Sequence, residues 1–396
     1  MTILERIKEL SIDLTSETVA NRRHLHANPE LSFEEHNTSA FIKSRLQLWN
    51  IPYKDGLAQT GIQVLIKGRN PDKKVVALRG DMDALPIQEE NDVPYKSQKP
   101  GIMHACGHDV HTASLLTSVN ILNQLKDDFE GSVKFIFQPG EEKLPGGASL
   151  MIKEGVLSNP TPSHIFGQHV MPFIPAGKVG FRKGMYMASA DEIYVTVKGK
   201  GGHGALPDHV IDPVVITAQI ILSLQQVVSR MANPKIPSVL SFGKVIANGA
   251  TNVIPDQVNI EGTFRTLDEN WRYQAHAKMK KMAEGIAESM GGSCDFDIRV
   301  GYPFLRNEPD TTERARNAAS QYLGENNIED LDIWMAAEDF AFYSQETAAC
   351  FYRLGTRNES KNITSGVHTP TFDIDEDVLS FSPGLMAWIA LNELNS

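Results

Sequence analysis

The eight residues His104-Ala105-Cys106-Gly107-His108-Asp109-Val110-His111 gather side chains that can hold a metal ion or carry a proton. Thiolate and imidazole are the preferred ligands of zinc and its neighbours. A glycine-containing loop of this kind before a helix therefore suggests a metal site. A polar turn with Asp109 capping the helix is the plain alternative, and further ligand types elsewhere weigh against it. Glu141-Glu142 follows the apolar run Val133 to Phe137. Adjacent residues at a strand end point to opposite sides, so one glutamate can bind metal while the other faces substrate. Metal-assisted hydrolysis needs that division, with one carboxylate on the ion and a second moving the proton. A solvated acidic turn would read the same way. His169 follows Ile165-Phe166-Gly167, and His368 lies in Gly366-Val367-His368-Thr369-Pro370. Either histidine alone reads as structural, and spacing does not show that His368 joins the others.

These residues need elements that bring strand ends together. Residues 3–50 read as helices with a break at Asn28-Pro29. Val75-Val76-Ala77-Leu78-Arg79 reads as a buried strand ending in Gly80-Asp81-Met82-Asp83, where both aspartates could be loop-forming. A helix over 109–125 places Leu115, Val119 and Leu122 on one face, and another is expected near 147–155. Strands alternating with helices imply an α/β domain with a mostly parallel central sheet flanked by helices. Ligands of such sheets gather at the carboxyl ends of strands, where the first three signals lie. The pattern changes near 187. Strands at Ile193–Val197, Ser238–Ala247, Gln257–Thr266 and Asp295–Val300 enclose helices opened by Asp212-Pro213 and stopped by Gly291-Gly292. The order β-α-β-β-α-β predicts a ferredoxin-like α+β domain over 187–302. It would be inserted into a main domain formed by 1–186 and 303–396.

The 396 residues suggest two domains. No apolar run reaches the ~18 residues that span a bilayer. Met1 to Leu10 reads as an amphipathic helix, not a signal peptide. The formal net charge of −11 repels nucleic acid and anionic lipid, so neither is expected as a partner. Cys106, Cys294 and Cys350 are too few and odd in number for a disulfide framework, which points to a reducing, cytoplasmic setting.

Five blocks occur in order over about residues 15–390. They are Arg79-Gly80-Asp81-Met82-Asp83-Ala84-Leu85-Pro86, Met103-His104-Ala105-Cys106-Gly107-His108-Asp109, Gln138-Pro139-Gly140-Glu141-Glu142, Gly202-His203-Gly204 and Asn252-Val253-Ile254-Pro255-Asp256. Together they resemble the amidohydrolase branch of the aminoacylase and carboxypeptidase superfamily. That branch includes hippurate hydrolases, N-acetyl-diaminopimelate deacetylases and plant auxin-conjugate hydrolases. The resemblance implies a dinuclear metal-dependent hydrolase of N-acyl amino acids, with the inserted domain as a lid. Two divalent ions per subunit are implied: zinc or manganese, with nickel or cobalt as alternatives. Cys106 would bridge them, His108 and Glu142 would complete one set of ligands, and His169 and His368 the other. Glu141 would be the general base, Asp83 the carboxylate that orients the site, and His203 the group that steadies the oxyanion. Asn252 and Arg265 would contact substrate. The resemblance further implies a homodimer through the lid domain, with His203 serving its own or a neighbouring site.

Three stretches depart from that pattern. Lys143-Leu144-Pro145-Gly146-Gly147 is one residue longer than expected, Gln168 stands where an apolar residue is usual, and Ala336-Ala337 replaces Gly-Ser before Glu338-Asp339. Without the resemblance, His203 reads as a turn residue, Arg265 as a solvated charge and Glu338-Asp339 as a helix cap. Within enzymes the rival is a metallo-dipeptidase or aminopeptidase, which shares every metal residue. A sensor without activity would have lost Glu141, and a cysteine nucleophile fits the surrounding carboxylates and histidines less well.

Overall fold

A computed structural model describes residues 1–396. Three helices come first: α1 (Ile3–Asp13), α2 (Thr15–Ala27) and α3 (His36–Leu48). Thr2 and Glu5 cap the first of these reciprocally, each side chain taking the other's backbone N–H. Strands β1 (Tyr53–Leu57), β2 (Gly61–Lys67) and β3 (Val75–Asp81) follow. Next come α4 (His108–Gln124), β4 (Ser132–Gln138), α5 (Gly147–Lys153), β5 (His164–Pro175) and β6 (Val179–Phe181). With strands Ile328–Asp330 and Ala348–Arg357 they build one eight-stranded sheet. Its order is β1, β2, β4, β3, β5, Ala348–Arg357, β6, Ile328–Asp330. The central block from β4 through Ala348–Arg357 is parallel, and β1 and β2 add antiparallel strands at one edge. Every residue of β3 and β4 is buried. Burial at both alternating sets of positions means that both faces are covered, as a parallel sheet flanked by helices requires. Leu78, Leu115, Val119, Phe135 and Phe166 belong to the core between the layers.

Two local expectations change. His169 does not follow a strand end. It lies inside β5, which runs on through Val170, Met171 and Ile174, because His169, Val170 and Met171 pair in register with Arg353, Leu354 and Gly355. Asp81 is not loop-forming. It is the last residue of β3 and fully buried, held by Arg79 and His111.

The chain divides into two compact units. The sheet above belongs to Met1–Gly184, Arg306–Ile333 and Asp339–Ser396; the second unit is Met185–Leu305 with Trp334–Glu338. In the second unit, strands Asp191–Lys198, Ser238–Ile246, Gln257–Thr266 and Ser293–Val300 alternate with helices Pro213–Gln226 and Glu269–Ser289. The first strand pairs antiparallel with the third and the fourth, and the second lies outside the third. This is the ferredoxin-like order. Asp212 caps the first helix by accepting from Val214 N and Val215 N, and Pro213 occupies the first turn, where a missing N–H costs nothing. Trp334–Glu338 returns to this unit through backbone bonds, Trp334 N to Tyr186 O at 2.9 Å and Ala188 N to Trp334 O at 3.2 Å. No periodicity in the sequence advertises such bonds. By length and composition the helical stretch Pro213–Met231 could cross a membrane, contrary to the sequence expectation. Ile216, Ile220, Leu224 and Val227 instead bury one face of it in the core of the unit.

Candidate metal centre

The residues with metal-binding types converge in the first unit. Gly107 separates Cys106 from His108 and starts α4 with φ +81°, where a Cβ would lie 2.5 Å from Val170 Cγ2. Only glycine fits both the backbone angle and the space, and the tight turn brings thiol and imidazole to one side. Cys106 Sγ lies 3.4 Å from His169 Nε2. His169 Nδ1 faces Val170 O at 2.8 Å. A carbonyl only accepts, so Nδ1 carries the hydrogen and Nε2 keeps its lone pair for a ligand. His108 repeats the arrangement, with Nδ1 donating to Asp83 O at 2.9 Å. Its Nε2 is buried and makes no hydrogen bond. Glu142 Oε1 lies 3.2 Å from His368 Nε2 and 4.0 Å from His108 Nε2.

His368 reaches the group from far along the chain. Its backbone has φ +61°, a region that costs a non-glycine residue about 1 kcal/mol or more. The bond from His368 N to Ala105 O, 2.7 Å, ties it to the Cys106 loop. Donor atoms of Cys106, His108 and His169 lie within 4.8 Å of one another, and so do those of Cys106, Glu142 and His368. His108, Glu141 and Glu142 form a further group of this kind.

Charge in the cluster calls for a cation. Burial works against a charged His108, yet Asp81 and the Cys106 thiol push its pKa well above the imidazole range. Cys106 and Glu142 raise His368 to about 10. Burial, then Arg353 and His111, hold His169 well below its ordinary value. A thiol, three imidazoles and a carboxylate, with a buried imidazole nitrogen lacking a hydrogen bond, fit divalent ions of the zinc class.

Other carboxylates position this set. Asp83, fully buried, accepts from Glu141 N at 3.0 Å, Glu142 N at 2.9 Å and Ser32 Oγ at 2.6 Å. Burial opposes its ionisation, but the bond from His108 and the His108 charge outweigh it and hold the carboxyl below its usual range. Asp81 takes His111 Nδ1–H at 2.6 Å and Arg79 Nη1 at 2.6 Å. His111 Nε2 accepts from Val170 N at 2.9 Å. Both ring nitrogens are thus engaged, which marks His111 as neutral and structural even though Asp81, His108 and His111 also cluster. Arg79 continues to Asp339 at 2.7 Å and Gln138 at 2.8 Å, and Asp339 N lies 3.4 Å from Glu141 Oε1. Asp339 also accepts from Ala148 N, in the first turn of α5, at 3.0 Å. Asp109 does not cap α4. Its carboxylate takes Arg22 Nε and His26 Nδ1, both at 2.8 Å. Sequence reasoning named Arg79, Asp81 and Asp109 but did not foresee these bonds. The one available signal was charge inside otherwise apolar, buried runs.

The remaining expected residues belong to the second unit. His203 and Asn252 sit together: Gly202–His203 pairs with Val253–Ile254, and Gly204 N donates to Asn252 O at 2.9 Å. Both are exposed. Arg265 lies half-buried in Gln257–Thr266 and donates from Nη1 to Met335 O at 3.0 Å.

Comparison with known proteins adds independent findings. Residues 77–388 match the model of peptidase family M20/M25/M40. An N-acyl-L-amino acid amidohydrolase of Geobacillus stearothermophilus is 43% identical over 75% of this chain and 80% of its own length. N-acetylcysteine deacetylase of Bacillus subtilis is 39% identical over 93% of this chain and 95% of its own. The crystal structure of the Bacillus subtilis YXEP protein, described as a dinuclear metal-binding peptidase of the M20 family, superimposes with TM-score 0.82 at 35% identity. It covers 97% of this chain and 99% of its own.

Proposed function

The chain belongs to peptidase family M20/M25/M40 and is a metal-dependent hydrolase of amide bonds; from that premise we propose that its substrates are N-acyl amino acids. The observation that carries the reading is the convergence of Cys106, His108, Glu142, His169 and His368 beside Glu141. The printed activities of the bacterial relatives, on acylated amino acids and N-acetylcysteine, support the same substrate class.

Two divalent ions held by those five ligands would polarise the amide carbonyl and acidify a water molecule. Glu141 takes the proton from the attacking water and returns it to the leaving amine. Asp83 fixes the backbone of Glu141 and Glu142 and orients His108. His203 donates to the developing oxyanion, where a placed donor acts most strongly. Arg265 holds the substrate carboxylate, and Asn252 contacts the substrate carbonyl or carboxylate. Cys106 serves as ligand, not nucleophile.

We also propose a homodimer through the second unit. Its helix exposes Val214, Val215 and Leu222, and the strand Ser238–Ile246 at the sheet edge exposes Val239 and Val245. Exposed apolar groups beside an open edge are what a partner would cover. Leu222→Asp should shift the sedimenting species to monomer. The function itself is tested on protein stripped by chelator, reloaded with zinc or manganese, and assayed on N-acetyl amino acids and on dipeptides. Metal-restored turnover that prefers acyl amino acids is expected. Preference for dipeptides would move the substrate to the peptidase side of the family, and turnover unaffected by chelator would sink the metal reading.

A further inference from the structure

Glu35 is the N-cap residue of α3, yet its side chain caps nothing in that helix. It is fully buried and turns elsewhere. Oε1 accepts from Gly140 N and Phe33 N, each at 2.8 Å, and Oε2 accepts from Thr60 Oγ at 2.7 Å. Gly140 immediately precedes Glu141, and Asp83 takes the next two N–H groups. Three successive backbone donors of one turn are therefore held by two buried carboxylates from different parts of the chain. Phe33 closes the arrangement. Its φ is +68°, a conformation uncommon for a bulky residue, and its N–H is held by Glu35. Gly140 has φ +61°, and a Cβ there would lie 2.4 Å from the Phe33 ring. Ring, glycine and carboxylate together leave the turn before Glu141 little room to move.

We propose that Glu35 is a positioning residue for Glu141: by holding Gly140 N–H it sets the direction in which the base leaves the turn. The proposal rests on Glu141 being the base. It separates two jobs that Asp83 combines. Asp83 touches both the turn and the ligand His108, whereas the hydrogen bonds of Glu35 reach the turn and no ligand residue.

The test uses the full-length metal-loaded enzyme and an N-acetyl amino acid, with Glu35→Ala, Glu35→Asp, Thr60→Val and Glu141→Gln. A base displaced by about 1 Å can lose on the order of 10²-fold in rate. Glu35→Ala removes the acceptor of Gly140 N and should therefore lower kcat by roughly 10- to 100-fold, with KM and bound metal unchanged. Glu35→Asp retracts the carboxylate from Gly140 and should do the same, which provides a second reading if the Ala variant folds poorly. Thr60→Val also removes a bond to Glu35 but leaves Gly140 held, so its kcat should stay at the parent value even where its thermal midpoint falls. Equal kcat losses in Thr60→Val and Glu35→Ala, or activity lost in step with metal, would overturn the proposal. So would normal kcat in both Glu35 variants beside an inactive Glu141→Gln. An active Glu141→Gln would instead remove the base assignment itself.

Discussion

The two units carry their candidate residues in opposite ways. In the first, Cys106, His108, Glu141 and His169 are buried and tied to fixed partners, Glu142 is partly buried, His368 is exposed but held through its backbone, and the carboxylates behind them are themselves paired. In the second, His203 and Asn252 are exposed on a pairing only two residues long. Buried donors locked by a second layer of hydrogen bonds are preorganised, so the geometry is present before substrate arrives. Exposed residues on a short pairing belong to the easily opened part of a structure. Contacts with substrate or a neighbouring subunit can still order them. The candidate residues of one unit are thus held rigidly, and those of the other are left open to contact.

The contrast breaks most sharply at Glu141. Glu141→Gln keeps shape and removes the proton carrier, so turnover should fall about 10²–10⁴-fold while bound metal stays at the parent value. Near-normal turnover in the metal-replete variant would contradict the assignment. Arg79→Met tests the rigidity. Arg79 is fully buried and bound to Asp81 and Asp339. Removing it deprives two buried carboxylates of their guanidinium partner, a loss of roughly 3–5 kcal/mol. Amide exchange should rise in β3, β4 and α4 while the strands of the second unit keep their protection. Uniform loosening of both units would deny that the network belongs to one of them.

Arg265→Ala tests recognition. A charge-assisted hydrogen bond contributes about 1.5–3 kcal/mol, so kcat/KM for a carboxylate substrate should drop about 10- to 150-fold. The same amide lacking its carboxylate should be affected far less. Equal losses on both substrates would make Arg265 structural, through its bond to Met335 O. The smallest effect on turnover is expected at Asp191, buried in the second unit against Arg272 and His276. Burial raises its pKa, but His276 and Arg272 win and hold it below its ordinary 3.8. The folded state thus favours the ionised form. That stabilisation is complete above the unfolded value and fades as pH falls through the folded one. The second unit of the parent protein should lose exchange protection below that value, and Asp191→Asn should flatten this dependence. An unchanged acid response would show that the pair contributes nothing to it.

By itself the sequence determined the local elements and the chemistry they could carry. The apolar run before Arg79, the Asp212-Pro213 helix start and the β-α-β-β-α-β order were legible because burial and capping leave periodic, short-range marks. Cys106, His108 and the Glu141-Glu142 pair were legible as ligand types at the ends of such elements. Tertiary structure alone decided which distant residues meet. His368 lies more than 250 residues beyond Cys106, and a backbone bond to Ala105 in a left-handed turn brings it in. His111 looked as capable a ligand as His108, but Asp81 and Val170 N occupy both its nitrogens. Glu35 gave no signal at all, since a glutamate before a helix reads as a cap and its partner Gly140 lies in another segment. Such pairings depend on where strands sit side by side in the sheet, and that order comes from packing of the whole core rather than from any stretch of chain.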